Sequence, residues 1–567
     1  MADRLSFWHN AFATAPTRPE TLATPAWYRD ELTVRLDNCS GHSLALQEWI
    51  LLDEFVTAPD CAIYGEGFQM LAQTGGCWGA PEAIGRCPDA SVYRITSDQG
   101  YHTVHNLLMF KQGSEWTLLA FVACERFGGE FRLYPDGRLQ VVMRTEGLEL
   151  AAGAHWCSEP LVILQGDEKA ALLASLARHI QEHHPALPVT SRPTGWCSWY
   201  HYYADVTASD IQENVQQLAS RYPQLRYVQI DDGYQKAMGD WLIPSERFAG
   251  GLMPLLDDIR SRGALPALWV APFIAEPGSE IFRQHPDWFV KCADGQPLAA
   301  EMVTYGGWRC TPWYVLDATH PEVQQHLTSL FSTLRHDFGI TYFKLDANFW
   351  GAIHGGCFHD RQATRIEAYR RGMQAIIAGV GEEAFLLGCN APIWPSLGLV
   401  HGMRVGDDIE RSGHRIRQVA REIFSRSWQA ERLWQLDPDC LCLRDLSWQH
   451  ASAADYQFHM ATLLACGGMV LSGDRLADLD MQQSAWLTLL TQMAEQRVPA
   501  ATFNADLSHG ELQWGEQTLH FFFNWHDTQT QQISLPEGGT LLLSAQSAPA
   551  QYALLPGCAL VVSYPLD

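Results

Sequence analysis

The sequence predicts a multidomain α/β protein, with a central (β/α)8 TIM barrel between an N-terminal β-sandwich and a small C-terminal antiparallel β-domain. Three observations lead there. Over residues 1 to about 185, short alternating apolar and polar runs are punctuated by Gly, Pro, Asn and Asp, the pattern of half-buried antiparallel strands. Over about 194 to 473, brief apolar runs alternate with amphipathic helical stretches, which calls for a parallel sheet with crossover helices. Over about 500 to 567 the two-residue alternation returns. The middle zone is about 280 residues long, near the ~250 typical of an eight-fold barrel. A doubly wound open sheet is the alternative. The expected division is 1–185 for the sandwich and a linker helix, 186–490 for the barrel and 491–567 for the C-terminal domain. A chain of 567 residues is long enough for several domains.

Taken in order, 32–36, 116–124 and 138–144 read as sandwich strands. Residues 167–184 read as a helix, closed off by Pro185, Pro188 and Pro193. In the middle zone the strands are 195–199, 227–231, 265–272, 341–346, 385–389, 403–405, 433–436 and 469–471. Helices are expected over Ala208–Arg221, 253–262, 321–337, 361–378 and 413–429. The C-terminal strands are 519–523, 540–543 and 558–564.

Composition bounds the function. Hydrophobic residues make up 47%, which rules out overall disorder. Lys+Arg is 39 against 64 Asp+Glu, a net charge of −25, which argues against a nucleic acid or an anionic membrane as partner. Aromatics are 11%, with 21 Trp, and such rings suit flat hydroxylated ligands as well as a large core. Residues 1–15 lack a signal peptide's apolar run, and the longest apolar stretches, 264–275 and 461–471, fall short of a bilayer span. The 15 cysteines, an odd number without repeating spacing, read as free thiols in a reducing compartment, so a cytoplasmic location is expected. Neither Cys440 and Cys442 nor the cluster His354, Cys357, His359 has the paired spacing of a structural zinc site. No GxGxxG follows a strand and no GxxxxGK[ST] occurs, which disfavours a nucleotide-binding sheet.

In a parallel barrel the active site forms at the C-terminal strand ends, so polar residues ending apolar runs are the candidates. One run ends in Asp231-Asp232-Gly233, another in Asp346-Ala347-Asn348, a third in Cys389-Asn390 and a fourth in Asp407-Asp408. Period 2 puts Lys344 and Asp346 on one face and Phe343 and Leu345 on the other. A carboxylate beside an ammonium stays ionised near neutrality, as a carboxylate nucleophile requires. A second carboxyl held protonated serves as general acid. Two carboxyls from different strands flanking a bond is the layout of glycoside hydrolysis. A single Asp after a strand is as often a turn or helix cap. Four such ends together weigh more than any one.

The motifs Trp196-Cys197-Ser198-Trp199-Tyr200, Gln229-Ile230-Asp231-Asp232-Gly233, Phe343-Lys344-Leu345-Asp346, Leu387-Gly388-Cys389-Asn390-Ala391-Pro392 and Met403-Arg404-Val405-Gly406-Asp407-Asp408 appear in that order. Together they resemble the α-galactosidases of glycoside hydrolase family 36, the melibiase type. Asp437-Pro438-Asp439 resembles another block of that family. The resemblance is strong over 195–473 and a matter of character alone in the flanking β zones.

The resemblance implies a retaining α-galactosidase. It makes Asp346 the nucleophile and Asp408 the acid/base, with Asp407 the rival in the doubled motif. It assigns Asp231 and Asp232 to galactose hydroxyls, Lys344 to ring hydroxyls, Arg404 to the sugar near the cleaved bond and Cys389 to the pocket lining. Trp199 and Trp269 become pocket walls. Leu345 stands where the family commonly has an aromatic residue. No metal or organic cofactor is implied, and the partner is a small-molecule α-galactoside, with a homo-oligomer left open. Other readings are an α-N-acetylgalactosaminidase, a galactosyl transglycosylase or a non-catalytic sugar-binding barrel. A metal-dependent barrel hydrolase would need a His-x-His strand end, which is missing. A strand-end Cys389 is expected to be the reactive thiol. Trp27, Trp49 and Trp78 could reach a site, though core packing is the commoner fate.

Overall fold

The computed structural model describes residues 2–13, 18–97 and 99–566. Its centre is an eight-stranded parallel sheet. The strands are β1 (Thr194–Cys197), β2 (Tyr227–Ile230), β3 (Leu265–Val270), β4 (Tyr342–Leu345), β5 (Phe385–Gly388), β6 (Gly402–Arg404), β7 (Gln435–Asp437) and β8 (Val470–Ser472). They pair in sequence from β1 to β7, and β8 pairs with β1. Between β7 and β8 the ring is drawn together by the Met469 N–H, which donates to the Leu436 carbonyl at 2.9 Å. A bridge between Leu441 and Ser472 adds to the closure. The architecture is therefore the barrel and not the open sheet. Strands buried on both faces are largely apolar, which is why they read as short apolar runs, with Gln229, Lys344 and Arg404 among the buried polar exceptions.

Helices α1 (Ala208–Arg221), α2 (Leu252–Ser261), α3 (Pro321–Ser332) and α4 (Arg365–Val380) follow β1 to β4, and α5 (Gly413–Ser425), α6 (Ala453–Cys466) and α7 (Met481–Glu495) follow β6 to β8. Reciprocal capping boxes start α1 (Thr207 with Asp210), α4 (Thr364 with Glu367), α6 (Ser452 with Asp455) and α7 (Asp480 with Gln483). In α5 the buried positions Ile416, Val419, Ala420 and Ile423 form the stripe that packs on the barrel. The helix expected over 321–337 is α-helical to Ser332 and continues as a π turn over Thr333–Asp337. The expected strand 195–199 stops at Cys197, and Trp199 begins a short helix, Trp199–Tyr202. The boundary expected at 490/491 falls inside α7.

After β5 the chain makes a short 3-10 turn, Trp394–Ser396, in place of a full helix. Pro392 and Pro395 remove two backbone donors there. The N-terminal sheets occupy this flank instead. The Met70 N–H donates to the Ala391 carbonyl at 3.0 Å and the Ile393 N–H to Phe68 at 2.9 Å. The Trp394 indole donates to the Phe121 carbonyl at 2.7 Å.

The N-terminal region holds a nine-stranded and a four-stranded antiparallel sheet. In Glu31–Asn38 the alternate residues Leu32, Val34 and Leu36 are buried, the period-2 signature. They share a core with Phe131, Val141 and Trp49 of the other sheet. An unforeseen helix, Ala2–Ala13, buries Trp8, Ala11 and Phe12 in that same core. Trp49 and Trp78 are core residues, and Trp27 packs at its edge against Phe12. Arg426 and Glu66, neither with measurable exposure, form an ion pair at 2.8 Å that ties the sandwich to the barrel. Residues 502–565 form a six-stranded and a two-stranded sheet. No helix among the described residues is long and apolar enough to cross a membrane.

Candidate active site

Asp346 follows β4, where the parallel register sets Trp269 of β3 beside Lys344. The Trp269 indole donates to Asp346 Oδ2 at 2.9 Å. The Asn390 amide donates to Oδ1 at 2.8 Å and the Ala347 N–H to the same oxygen at 2.7 Å. These three N–H donors orient the carboxylate and complement negative charge on it. Ala347 and Asn390 both take positive φ, 53° and 42°, uncommon for residues with a side chain. Such strain, about 1–3 kcal/mol per residue, persists only where the surroundings hold it in place.

Lys344 does not sit on Asp346. Its ammonium is 3.0 Å from Asp231 Oδ2, and that pairing corrects the expectation that it would hold the Asp346 charge directly. Period 2 placed the two side chains on one face, but the longer Lys344 reaches the next carboxylate instead. Burial opposes the Lys344 charge, while Asp231 and then Cys389 and Asp346 favour it, and the net direction is well above the ordinary lysine value.

Asp231 and Asp232 follow β2, and both are buried. Asp231 accepts from Gln229 Nε2 at 2.7 Å as well as from Lys344. Asp232 accepts from Gln235 Nε2 at 2.6 Å and is gripped by Arg309, through Nε at 2.7 Å and a second bond from Nη2. Arg309 lies in the long connection between β3 and α3, and its position in the sequence carried no signal of this contact.

Arg404, fully buried, ends β6. Its Nη2 is 2.8 Å from Asp408 Oδ1, 2.8 Å from Asp439 Oδ2 and 3.1 Å from the Tyr200 hydroxyl. Tyr200 also donates to Asp439. Burial raises the Asp439 carboxyl to about 6, with Arg404 opposing and the neighbouring Asp408 adding to the rise. The doubled aspartates diverge. Asp407 is buried and paired with Arg86 of the sandwich at 2.6 Å and with Arg415 at 3.4 Å. The Asp408 side chain is 50% exposed and stays beside Arg404.

Cys389 ends β5 and its Sγ accepts from Arg404 Nη1 at 3.7 Å. The expectation of a reactive thiol there is corrected, since Cys389 is buried and burial, followed by Asp346, pushes its thiol well above the ordinary value. Trp269 is buried against Trp241, ring centroids 5.7 Å apart. Trp199 is partly exposed, 5.2 Å from the Tyr203 ring, and Tyr203 is in turn 6.2 Å from Trp448, an exposed residue.

Sequence reasoning left Arg86, Arg309, Tyr200 and Asp439 without roles. Asp439 and Tyr200 lay within quoted motifs, but the arginines come from connections that no periodicity places. Of the cysteine and histidine clusters, Cys440 and Cys442 are buried and His354 contacts the Val303 carbonyl at 2.9 Å.

The Melibiase family model matches residues 171–380. The chain is 28% identical over 165 residues to an α-galactosidase of Escherichia coli, a match that spans 28% of this chain and 22% of the relative's length. In fold it is similar to the α-galactosidase of Thermus thermophilus solved with p-nitrophenyl α-D-galactopyranoside, with a TM-score of 0.65, 22% identity, and 87% of this chain and 98% of that one covered. It is also similar to the glycoside hydrolase family 36 α-galactosidase AgaA of Geobacillus stearothermophilus, with a TM-score of 0.65, 13% identity, and 96% and 81% covered. The resemblance read from the strand-end motifs is borne out by the Melibiase family model, whose match spans the first three of them, 196–200, 229–233 and 343–346.

Proposed function

We propose that this chain is a retaining α-galactosidase, hydrolysing terminal α-D-galactosyl residues from small oligosaccharides by double displacement. The observation that carries the reading is the contrast between two strand-end carboxylates. Asp346 is buried with three N–H donors on it, and Asp408 is half exposed beside Arg404. In the first step an Asp346 oxygen attacks the anomeric carbon from the β face. The C1–O bond breaks as Asp408 gives its proton to the leaving oxygen. In the second step Asp408 takes a proton from water, the water oxygen bonds to C1, and the Asp346 ester bond breaks with its electron pair returning to the carboxylate. Asp231 and Asp232, held by Lys344 and Arg309, are the acceptors for the sugar hydroxyls, including the axial O4 that distinguishes galactose from glucose. Trp269 supports Asp346, and Trp199 is taken as a wall of the sugar pocket.

The divergence of Asp407 and Asp408 supports Asp408 as the acid/base, because Asp407 is committed to Arg86 and Arg415. The curated relatives' match covers about a fifth of their length, 22% for the Escherichia coli enzyme, so activity is assigned here by the site's chemistry and not by whole-chain likeness. The test is hydrolysis of p-nitrophenyl α-galactoside, α-glucoside and α-N-acetylgalactosaminide by the folded full chain. Turnover of the galactoside above the other two, with α-galactose as the first product seen by NMR, is expected. A folded protein inert to all α-galactosides overturns the reading.

A further inference from the structure

In the C-terminal sheets, the hairpin His509–Trp514 and Gln517–Phe523 gathers two imidazoles and a carboxylate on one sheet face. The antiparallel register sets Glu511 opposite His520. His509 is two residues from Glu511, so the pleat turns both to the same side. His509 Nε2 is 3.2 Å from His520 Nδ1 and 3.5 Å from Glu511 Oε1. His520 Nδ1 is 3.3 Å from that same oxygen. The three atoms form a nearly equilateral triangle.

Hydrogen bonding alone leaves this triangle poorly satisfied. One proton can lie on the His509–His520 edge. The two edges to Glu511 are longer than the ~2.7–2.9 Å of a charge-assisted N–H···O bond. A cation at the apex satisfies all three at once. Ligand atoms bound tetrahedrally at about 2.0–2.1 Å from zinc stand about 3.3–3.4 Å apart, the size of this triangle. Phe522 stacks on His509 at 4.7 Å and 18°, and Tyr564 meets His520 edge-on at 5.3 Å. The two imidazoles are 5.5 Å apart at 11°, with their nitrogens nearly head-on, so both half-buried rings turn to aim at one ion. The side chains are 32%, 52% and 24% exposed for His509, Glu511 and His520, so an ion has a path in and keeps a water. A second group, Asp287, His320 and Glu322, is already committed. There His320 Nδ1 accepts from the Glu322 N–H at 3.2 Å, and Glu322 Oε2 accepts from the Trp288 indole at 2.9 Å.

We propose that His509, Glu511 and His520 bind a divalent transition ion, zinc, in a solvent-open site that pins the two strands of this hairpin. Imidazole nitrogens with one carboxylate oxygen suit zinc over calcium or magnesium, which favour all-oxygen shells.

The experiment titrates the chelator-stripped full chain with Zn2+ alone, by calorimetry and thermal melting, beside H509Q/H520Q and E511Q. Wild type is expected to bind one equivalent more than the double variant, and E511Q to bind that equivalent at least ten-fold more weakly. Zinc should raise the wild-type Tm more than that of the double variant, since a ligand of the folded state stabilises it. Substitution with Co2+ should give visible d–d bands without the near-ultraviolet charge transfer of thiolates, which separates this site from the cysteines. Equal stoichiometry and affinity in wild type and E511Q overturns the proposal, as does a cobalt spectrum unchanged by the histidine substitutions.

Discussion

Lys344 and Asp231 form an ion pair at 3.0 Å that reaches from β4, over β3, to the end of β2. The contact joins two motifs that are far apart in sequence, and both side chains are nearly sealed from solvent. Removing one partner of a buried pair costs about 3–5 kcal/mol, because the other charge is left uncompensated. Lys344→Met should therefore lower stability by that order in urea denaturation and abolish turnover. Adding Asp231→Asn should restore part of the stability and none of the activity. Losses that simply add in the double variant would show that the two groups are not coupled.

Roles for the two carboxylates separate by product stereochemistry. With Asp346→Gly, azide enters from the vacated face and should give β-galactosyl azide. With Asp408→Gly, azide attacks the galactosyl-enzyme and should give α-galactosyl azide. Asp408→Gly should also slow melibiose far more than a dinitrophenyl galactoside, which departs without protonation. Asp407→Asn should mainly lower the Tm, since it breaks contacts with Arg86 and Arg415. A leaving-group effect at Asp407 would move the acid/base by one residue.

Glu422 gives the stability a pH dependence. Burial, with Asp407 adding to it, raises its carboxyl from 4.5 to about 7, against Gln418 and the Asp407 N–H, which donate to it. Between those values the folded chain holds a proton that the unfolded chain has lost. The contribution is present in full below about 4.5 and disappears as the pH rises through about 7. Unfolding free energy should fall by up to about 3 kcal/mol from this group between pH 5 and 8.5. Glu422→Gln should flatten that fall, and an unchanged profile in the variant would exclude Glu422 as its source.

Thiol chemistry should report on Arg309 and not on Cys389. Cys310 is exposed and its Sγ accepts from Arg309 Nη1 at 3.1 Å, while Arg309 grips Asp232. Partial desolvation by the groups around it raises the Cys310 thiol, so labelling should quicken at alkaline pH. Iodoacetamide should inactivate, galactose should protect, and Cys310→Ser should remove the sensitivity, with Cys389 unlabelled in peptide maps. Inactivation that persists in Cys310→Ser would point to another thiol.

Sequence and structure agree best at the strand ends. Asp231, Asp346, Cys389 and the pair Asp407-Asp408 were legible because a strand covered on both faces is largely apolar, so polar residues closing an apolar run mark its mouth, while Arg404 and the choice of Asp408 came from the family resemblance. Their partners were not. Arg309 and Arg86 arrive from connections whose course depends on packing that no local period encodes. Lys344 was placed on the correct face and given the wrong carboxylate, since period 2 fixes a direction and not a reach. The helix Ala2–Ala13 went unread because its stripe of Trp8, Ala11 and Phe12 is too short to stand out. The lack of a helix after β5 also went unread, although Pro392 and Pro395 remove backbone donors a helix would need there.

That missing helix decides what can be exchanged between proteins of this build. Where the barrel lacks its own cover, Phe68, Met70 and Phe121 supply it, and Glu66 neutralises Arg426 beside them. A chain begun at residue 186 would bare the flank behind Asn390, one of the three donors on Asp346. The N-terminal third is thus a segment of the barrel's wall, and any chimera has to carry both parts across together.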